Sequence, residues 1–429
     1  MKSRIVGKTT DVGLIPDEWD DVSIGNLITE FRGGASLKPS DFTRTGVKVL
    51  PKGGVGRTGW LQVEAEDQKF CSREYAAANH RNQVDESYTI VVLRDLVPSG
   101  PSIGLMVRIK DRETYILAQG VYGFKVNDSV VASYLVQLSN TQWYRKLANA
   151  LMVGSTQVHI TNTAFKRAHI PLPPLAEQVS ITEILDDTDA LIESLELLLV
   201  KKRQLKQGAM QELLTGIKRL PGFRGEWKER TLLNLAEGKK ELFDDGDWIE
   251  SEHITNKGIR LVQTGNIGIG TFTEKDDKKY IFEKSFVSLH CKEIKLGDLL
   301  ICRLADPAGR SCVLPDIGEA KIITSVDVTI FRPPASVANR VFLANLFSTP
   351  QWFRAVGDRS GGTTHKRISR GSLGHLRIKV PSLEEQAAIA AILSDMDEEI
   401  AAQEAKIAKA RSIKQGMMQE LLTGRIRLV

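Results

Sequence analysis

The sequence predicts an α+β protein: two mixed α/β lobes joined by two long helices that pair as an antiparallel coiled coil, with a pseudo-twofold internal repeat. Three observations predict it. The segment LKQGAMQELLTG at residues 205–216 returns as IKQGMMQELLTG at residues 413–424, a shift of 208. Each copy closes a long stretch whose apolar residues recur at three- and four-residue steps. Along both stretches acidic residues come first and basic residues last.

The repeat extends upstream without a gap. PPLAEQVSITEILDDTDALI (residues 173–192) aligns with PSLEEQAAIAAILSDMDEEI (residues 381–400), and 25 of the 50 positions from 171 to 220 match their partners. The same shift pairs Glu18 and Trp19 with Glu226 and Trp227, and Ile160 with Ile368. A single gap then aligns TQWYR (141–145) with PQWFR (350–354). The expected organisation is a first lobe over residues 1–170, a long helix over 171–216, a second lobe over 217–378 and a second long helix over 379–429.

Residues 175–215 contain no proline and stop at Gly216; residues 383–423 stop at Gly424. A helix of about 41 residues runs roughly 60 Å. In the first, Asp186, Asp187, Asp189, Glu193 and Glu196 precede Lys201, Lys202, Arg203 and Lys206. In the second, Asp395, Asp397, Glu398 and Glu399 precede Lys406, Lys409, Arg411 and Lys414. Antiparallel pairing sets acid against base along the seam, whereas parallel pairing sets like against like. The polarity also complements each helix's own dipole, which by itself would need no partner.

The lobes read as mixed α and β. Short β-rich runs at residues 88–93, 115–117, 321–323 and 326–331 are separated by glycine turns, and one amphipathic helix is expected in each lobe, over residues 133–151 and 337–356. Between the landmarks the lobe interiors diverge almost completely. The chain's net charge of +5 divides unevenly, the lobe segments carrying +10 and the helix segments −5. A modest positive excess on the lobes fits contact with a polyanion, and is also common in proteins that touch no nucleic acid.

Several function classes are disfavoured. The residues before Trp19 have no apolar core of a signal peptide, and no run of about 18 uncharged apolar residues occurs, so a cytoplasmic location is expected. Cys71, Cys291, Cys302 and Cys312 lack CxxC spacing and read as reduced packing residues. The seven histidines have no ligand spacing. GKTT at residues 7–10 lacks the earlier glycine of a phosphate loop, and no Asn-Pro-Pro-Tyr or Asp-Pro-Pro-Tyr segment exists to hold a flipped adenine. Pro315-Asp316 and Glu319-Ala320-Lys321 have the letters of a metal-dependent nuclease, but stand too close to place two acids on successive strands around one metal. No catalytic residues and no metal site are expected.

Taken together, PLPPLAEQ before the long helix, QELLTG at each helix end, PGFRGEW at residues 221–227, IRLVQTGNIGIG at 259–270 and LGDLLICRLADPAGR at 296–310 make the chain resemble the specificity (S) subunit of type I restriction-modification systems, over its whole length. The first lobe departs from these phrases, with LPKGGVGRTGW at residues 50–60 where the second has TGNIGIG. The resemblance implies two target recognition domains, each reading one half of a bipartite site in double-stranded DNA, with the helices fixing the spacing. It implies a non-catalytic chain whose partners are two modification (methyltransferase) subunits that methylate adenine and restriction (motor-nuclease) subunits that cleave. S-adenosylmethionine, ATP and Mg are then expected on those partners and no cofactor on this chain.

Reading bases needs side chains with two hydrogen-bonding positions, chiefly Arg or Lys toward guanine and Asn or Gln toward adenine, on loops that enter the major groove. In the first lobe the candidates are Lys52, Arg57 and Thr58 on an early glycine-rich turn and Ser155, Thr156, Gln157 and His159 on a late loop. In the second they are Arg260, Thr264 and Asn266 early, Thr363, Thr364, His365, Lys366 and Arg367 late, and Arg303 toward phosphate together with Arg310. The late loops stand at matching positions just before the helix entrance. The alternatives remain that Gly-Ser-Thr and Gly-Thr-Thr cap local turns, and that Lys52 and Arg57 form a solvated basic turn.

Overall fold

A computed structural model describes residues 7–10, 13–304, 307–362 and 366–428. It divides into two compact units, Met1–Leu197 with Ala405–Val429, and Leu198–Glu404. Each unit therefore holds one lobe and part of both long helices, which run over Leu175–Leu213 and Leu383–Leu421. Gly216 and Gly424 follow them at φ 73° and 70°, the left-handed geometry that ends a helix without a Cβ clash. Among the described residues no helix is long and apolar enough to cross a membrane.

In the first unit a four-stranded antiparallel sheet has the order Met106–Arg108, Thr89–Val92, Val121–Val126, Ile28–Gly33. A five-stranded mixed sheet runs Phe42–Thr43, Lys69–Cys71, Val47–Leu50, Tyr115–Leu117, Gln83–Val84, with one parallel pair. The second unit repeats both orders: Ser311–Val313, Leu299–Cys302, Val328–Phe331, Phe243–Asp245, and Ile254–Thr255, Lys279–Ile281, Ile259–Val262, Ile322–Thr324, Glu293–Ile294. The two interiors thus share a topology although their sequences diverge. A strand with both faces covered asks only for apolar residues, as the fully buried Thr89–Val92 and Leu299–Cys302 illustrate, and does not prescribe which ones.

The amphipathic helix expected in each lobe is two. Ala132–Ser139 is followed by Gln142–Ala150, and Arg340–Leu346 by Pro350–Gly357. The breaks fall where Thr141 and Thr349 turn extended and use their hydroxyls to cap the next helix. These caps also remove the gap from the alignment of TQWYR with PQWFR. At the uniform shift of 208, Thr141 matches Thr349, buried Tyr144 matches buried Trp352, and Ala148 matches Val356. Gly104 and Gly309 lie against those same pairs, where any Cβ would come within 3 Å of a neighbour.

Antiparallel pairing of the helices holds inside each unit. In the first, Arg411 bonds Glu196 at 2.6 Å and Lys414 bonds Asp189 at 2.6 Å. In the second, Lys202 meets Glu399, Lys206 meets Asp397 and Arg203 meets Glu404, each at 2.5 Å. Partners ascend along one helix as they descend along the other, apart from the Arg203–Glu404 crossing. These exposed pairs set orientation more than they add stability.

The phrases common to both halves hold each unit closed. In the first unit Glu177, 2% exposed, receives two hydrogen bonds from the Arg427 guanidinium at 2.7 and 2.8 Å and one from the Trp19 indole at 2.9 Å. In the second, Glu385 receives two from Arg219 at 2.6 and 2.5 Å. Arg427 lies over the Trp19 ring and Arg219 over Trp227, with Gly424 and Gly216 packed on the same indoles. Beside each glutamate, a buried glutamine ties the lobe to the helix start: Gln178 to the Val131 amide at 2.8 Å and the Pro173 carbonyl at 2.9 Å, Gln386 to the Asn339 amide and the Pro381 carbonyl, both at 3.0 Å. The core of the first unit accordingly joins Trp19, Ile181 and Leu185 to Met418, Leu421 and Leu422. That of the second joins Leu213 and Leu214 to Ile389 and Leu393. The four cysteines are free and buried, and burial pushes the Cys312 thiol up to about 12.

Replacing Arg427 by Met leaves a buried carboxylate with the indole as its main donor. The expected cost to the first unit is about 2 kcal/mol, below the usual loss for a broken buried pair because Arg427 is partly solvated. Amide hydrogen exchange should show lost protection around residues 16–24 and 177–185 with residues 381–393 unchanged; equal loss in both stretches would contradict the clamp.

Candidate nucleic-acid interface

The stems of the late loops are the same in both lobes. In the first, the Val153 amide donates to the His159 carbonyl at 2.9 Å and the His159 amide returns to Val153 at 3.0 Å; in the second, Gly361 and Arg367 exchange bonds of 3.0 and 2.9 Å. Glycine is required at Gly154, φ 109°, where a Cβ would stand 2.1 Å from the Gln157 carbonyl oxygen, and Gly362 has φ 104° at the matching position. Each loop is stitched to a strand end deep in the chain. Arg94–Asp95 pairs with Val158–His159, and the Ile160 amide donates to Leu93 at 2.9 Å. Correspondingly, Leu304 bridges Arg367, and the Ile368 amide donates to Arg303 at 3.0 Å.

In the first lobe the stem leaves the polar tip outside. Ser155, Thr156 and Gln157 are exposed and His159 is half-buried. Lys366 and Arg367 are exposed, Arg367 reaching Asp327 at 2.7 Å, while Thr363, Thr364 and His365 lie outside the described residues.

The early turns behave differently. Lys52–Gly54 and Thr264–Asn266 form matching 3-10 turns. Arg57 and Thr58 are exposed, with the Thr58 hydroxyl donating to the Trp60 carbonyl at 3.0 Å, whereas Lys52 bonds the buried Asp95 at 2.6 Å. Thr264 is half-buried and its carbonyl accepts from Arg310 at 3.4 Å. Asn266 is turned inward: its side chain accepts from the Gln263 amide at 3.0 Å and donates to the Thr273 carbonyl at 2.9 Å, capping its own turn.

Arg260 and Arg303 are placed inside the lobe instead of facing DNA. Arg260, 1% exposed, donates to the Leu261 and Lys279 carbonyls at 2.6 and 3.0 Å and to Glu274 at 2.8 Å. Arg303 donates to the Val326 and Ile368 carbonyls at 2.6 and 3.2 Å and pairs with Asp245 at 3.0 Å. Burial holds Arg303 below the ordinary guanidinium value despite that carboxylate. Its work is to brace the stem of the late loop, together with the Arg370–Asp244 pair beside it.

The sequence reading missed Arg94. Arg94 is exposed on the stem strand directly across from His159. Arg145 is half-buried and its guanidinium donates to the Ile103, Gly100 and Pro101 carbonyls, and burial holds it below its ordinary value, so it braces the lobe as Arg303 does. Arg94 is the first charge after the run YTIVVL, a signal that does not by itself separate it from the buried Arg303, which follows LLIC. Hydrogen-bonding tips on two rigid stems, flanked by exposed arginines, are suited to base edges and phosphates respectively.

Two substitutions separate the surface from the interior. Arg57→Ala should leave thermal stability unchanged and reduce the slope of log affinity against log salt for duplex DNA by about 1. Arg260→Ala should instead lower the melting temperature of the second unit, because it strands the Leu261 and Lys279 carbonyls and the Glu274 carboxylate. A salt slope unchanged in Arg57→Ala would remove this residue from the interface.

Comparison with known proteins identifies the family. Residues 16–201 and 225–411 each match the type I restriction modification DNA specificity domain. The chain is 24% identical to the type I restriction enzyme MjaVIII specificity subunit of Methanocaldococcus jannaschii, covering 96% of this chain and 94% of that one. It is 26% identical to the putative type I restriction enzyme specificity subunit S.HindORF215P of Haemophilus influenzae, covering 75% and 80%. Its fold is shared with the type I restriction-modification S subunit from M. genitalium, at a TM-score of 0.56 and 15% identity over 94% of this chain and 96% of that chain. A chain from a structural study of complex assembly and conformational transition of the type I R-M system gives 0.56 at 18% identity, over 96% and 99%. The chain belongs to the family of type I restriction-modification DNA specificity subunits, the non-catalytic components that recognise DNA.

Proposed function

We propose that the two lobes read the two halves of one bipartite DNA site, and that the paired helices set the undefined spacing between them. The observation that carries this reading is the contrast within the repeat. The helix ends, their clamps and the loop stems are the same in both halves, while the residues at the loop tips differ in sequence: Ser155, Thr156 and Gln157 in one against Thr363, Thr364 and His365 in the other. Equivalent supports holding unlike hydrogen-bonding groups are what two readers of different sequences require. In this reading two modification subunits bring S-adenosylmethionine and methylate adenine near each half-site. Restriction subunits bring ATP and Mg and cleave unmodified DNA, and the assembly works in the cytoplasm. This chain supplies the address and no bond-making group.

A methylome comparison tests the proposal. Cells with the gene should carry methylated adenines in a motif of two defined parts around an undefined spacer, and deletion of the gene should abolish that motif alone. Persistence of every two-part motif after deletion would sink the reading. For the helices, inserting four residues after Glu212 adds roughly 6 Å. It should widen the spacer by no more than about two base pairs and leave both defined parts unchanged; an unaltered spacer contradicts the ruler.

A further inference from the structure

In the first lobe one buried carboxylate joins the two candidate reading elements. Asp95 is 2% exposed. One of its oxygens accepts from the Lys52 ammonium at 2.6 Å and the Val97 amide at 3.2 Å; the other accepts from the Ser102 hydroxyl at 2.6 Å and the Ser102 amide at 3.4 Å. Its backbone is paired with Val158 in the stem of the late loop. Burial pushes the carboxyl up, but the bonds from Lys52, Ser102 and Val97 outweigh it and hold it well below the ordinary carboxylate range. The group is therefore an anion at neutral pH, fixed at its backbone to the late loop and at its side chain to the early turn.

The second lobe has no such single link among its described residues. Its early turn is held by Arg310 at the Thr264 carbonyl, and its late-loop stem by Arg303. Lys52 is correspondingly part of the framework: its ammonium is directed at a buried charge, while Arg57, Thr58, Arg94, Ser155, Thr156 and Gln157 are the exposed hydrogen-bonding groups of these elements.

We propose that Asp95 is a positioning residue for sequence reading by the first lobe, its carboxylate locking the Lys52–Gly54 turn onto the stem of the residue 153–159 loop so that both meet one half-site as a fixed set. This rests on the half-site reading above and adds a residue that sets its fidelity. Base discrimination depends on donors held within a fraction of an ångström, so a loosened turn still attracts phosphate but accepts more bases.

The test is the adenine methylome of cells expressing the full complex with the wild-type chain, Asp95→Asn, Lys52→Met, or both substitutions. The wild type should give a two-part motif. In each single variant the preference for the best base over the next best should fall about ten-fold at one or more positions of one part only, the scale of one bidentate contact. The other part should stay as in the wild type, and the double variant should be no worse than the worse single one, because both changes remove the same link. Lys52 is partly exposed, so Lys52→Met keeps the test valid if Asp95→Asn does not accumulate. Unchanged base preference in Lys52→Met and Asp95→Asn overturns the inference while leaving the half-site reading standing. So does a uniform fall in methylation of every site without altered preference, which is what a purely structural loss produces. A wild type without a two-part motif overturns both.

Discussion

The buried bidentate pair between a helix-start glutamate and an arginine just beyond the opposite helix's end is the interaction on which the rest depends. Glu177 and Glu385 sit almost without solvent, and such a carboxylate is tolerable only with its charge matched and its lone pairs occupied. Arg427 and Arg219 meet that demand through two parallel bonds each. The consequence is topological. The glutamate that follows the first lobe finds its arginine at the end of the chain, so the first unit is completed by residues from the C-terminal helix. A sequence that repeats in tandem folds into units that each borrow from the other's helix.

This arrangement divides constraint from freedom. Glutamate, glutamine, arginine, tryptophan and the terminal glycine all have specific partners, so they recur at a fixed shift of 208. Sheet interiors need only apolar volume, and loop tips need only a stem. The late loops show the division in miniature: the glycine that opens the turn and the backbone pair that closes it recur, and of the residues between them only Thr156 and Thr364 match. In the proposed reading of two half-sites by one scaffold, this division leaves the residues that differ between the lobes free of structural duty.

Much of this was legible in the sequence. The helices, their ends and their antiparallel sense followed from the repeat and from charge order, because periodicity and capping are local properties. The split of each lobe helix was not read, since Thr141 and Thr349 become caps only when the flanking segments pack in different directions. The gap placed between TQWYR and PQWFR had a similar origin: matching letters favoured Trp with Trp, whereas burial pairs Tyr144 with Trp352. Arg260 and Arg303 show the limit most clearly. Such an arginine reads as a phosphate or guanine contact, and only the tertiary fold reveals that backbone carbonyls and a carboxylate converge on it. The late-loop residues Ser155, Thr156 and Gln157 stand outside, as polar residues with no internal partner do.

If the two lobes are equivalent readers on equivalent clamps, one lobe should function in both places. The most direct measurement is the methylated motif produced when residues 217–378 are replaced by a second copy of residues 9–170, a segment of equal length under the repeat. The account predicts a motif whose two parts are the same sequence, identical to one part of the wild-type motif. Two parts that remain different from each other, or a wild-type motif left intact, would contradict it.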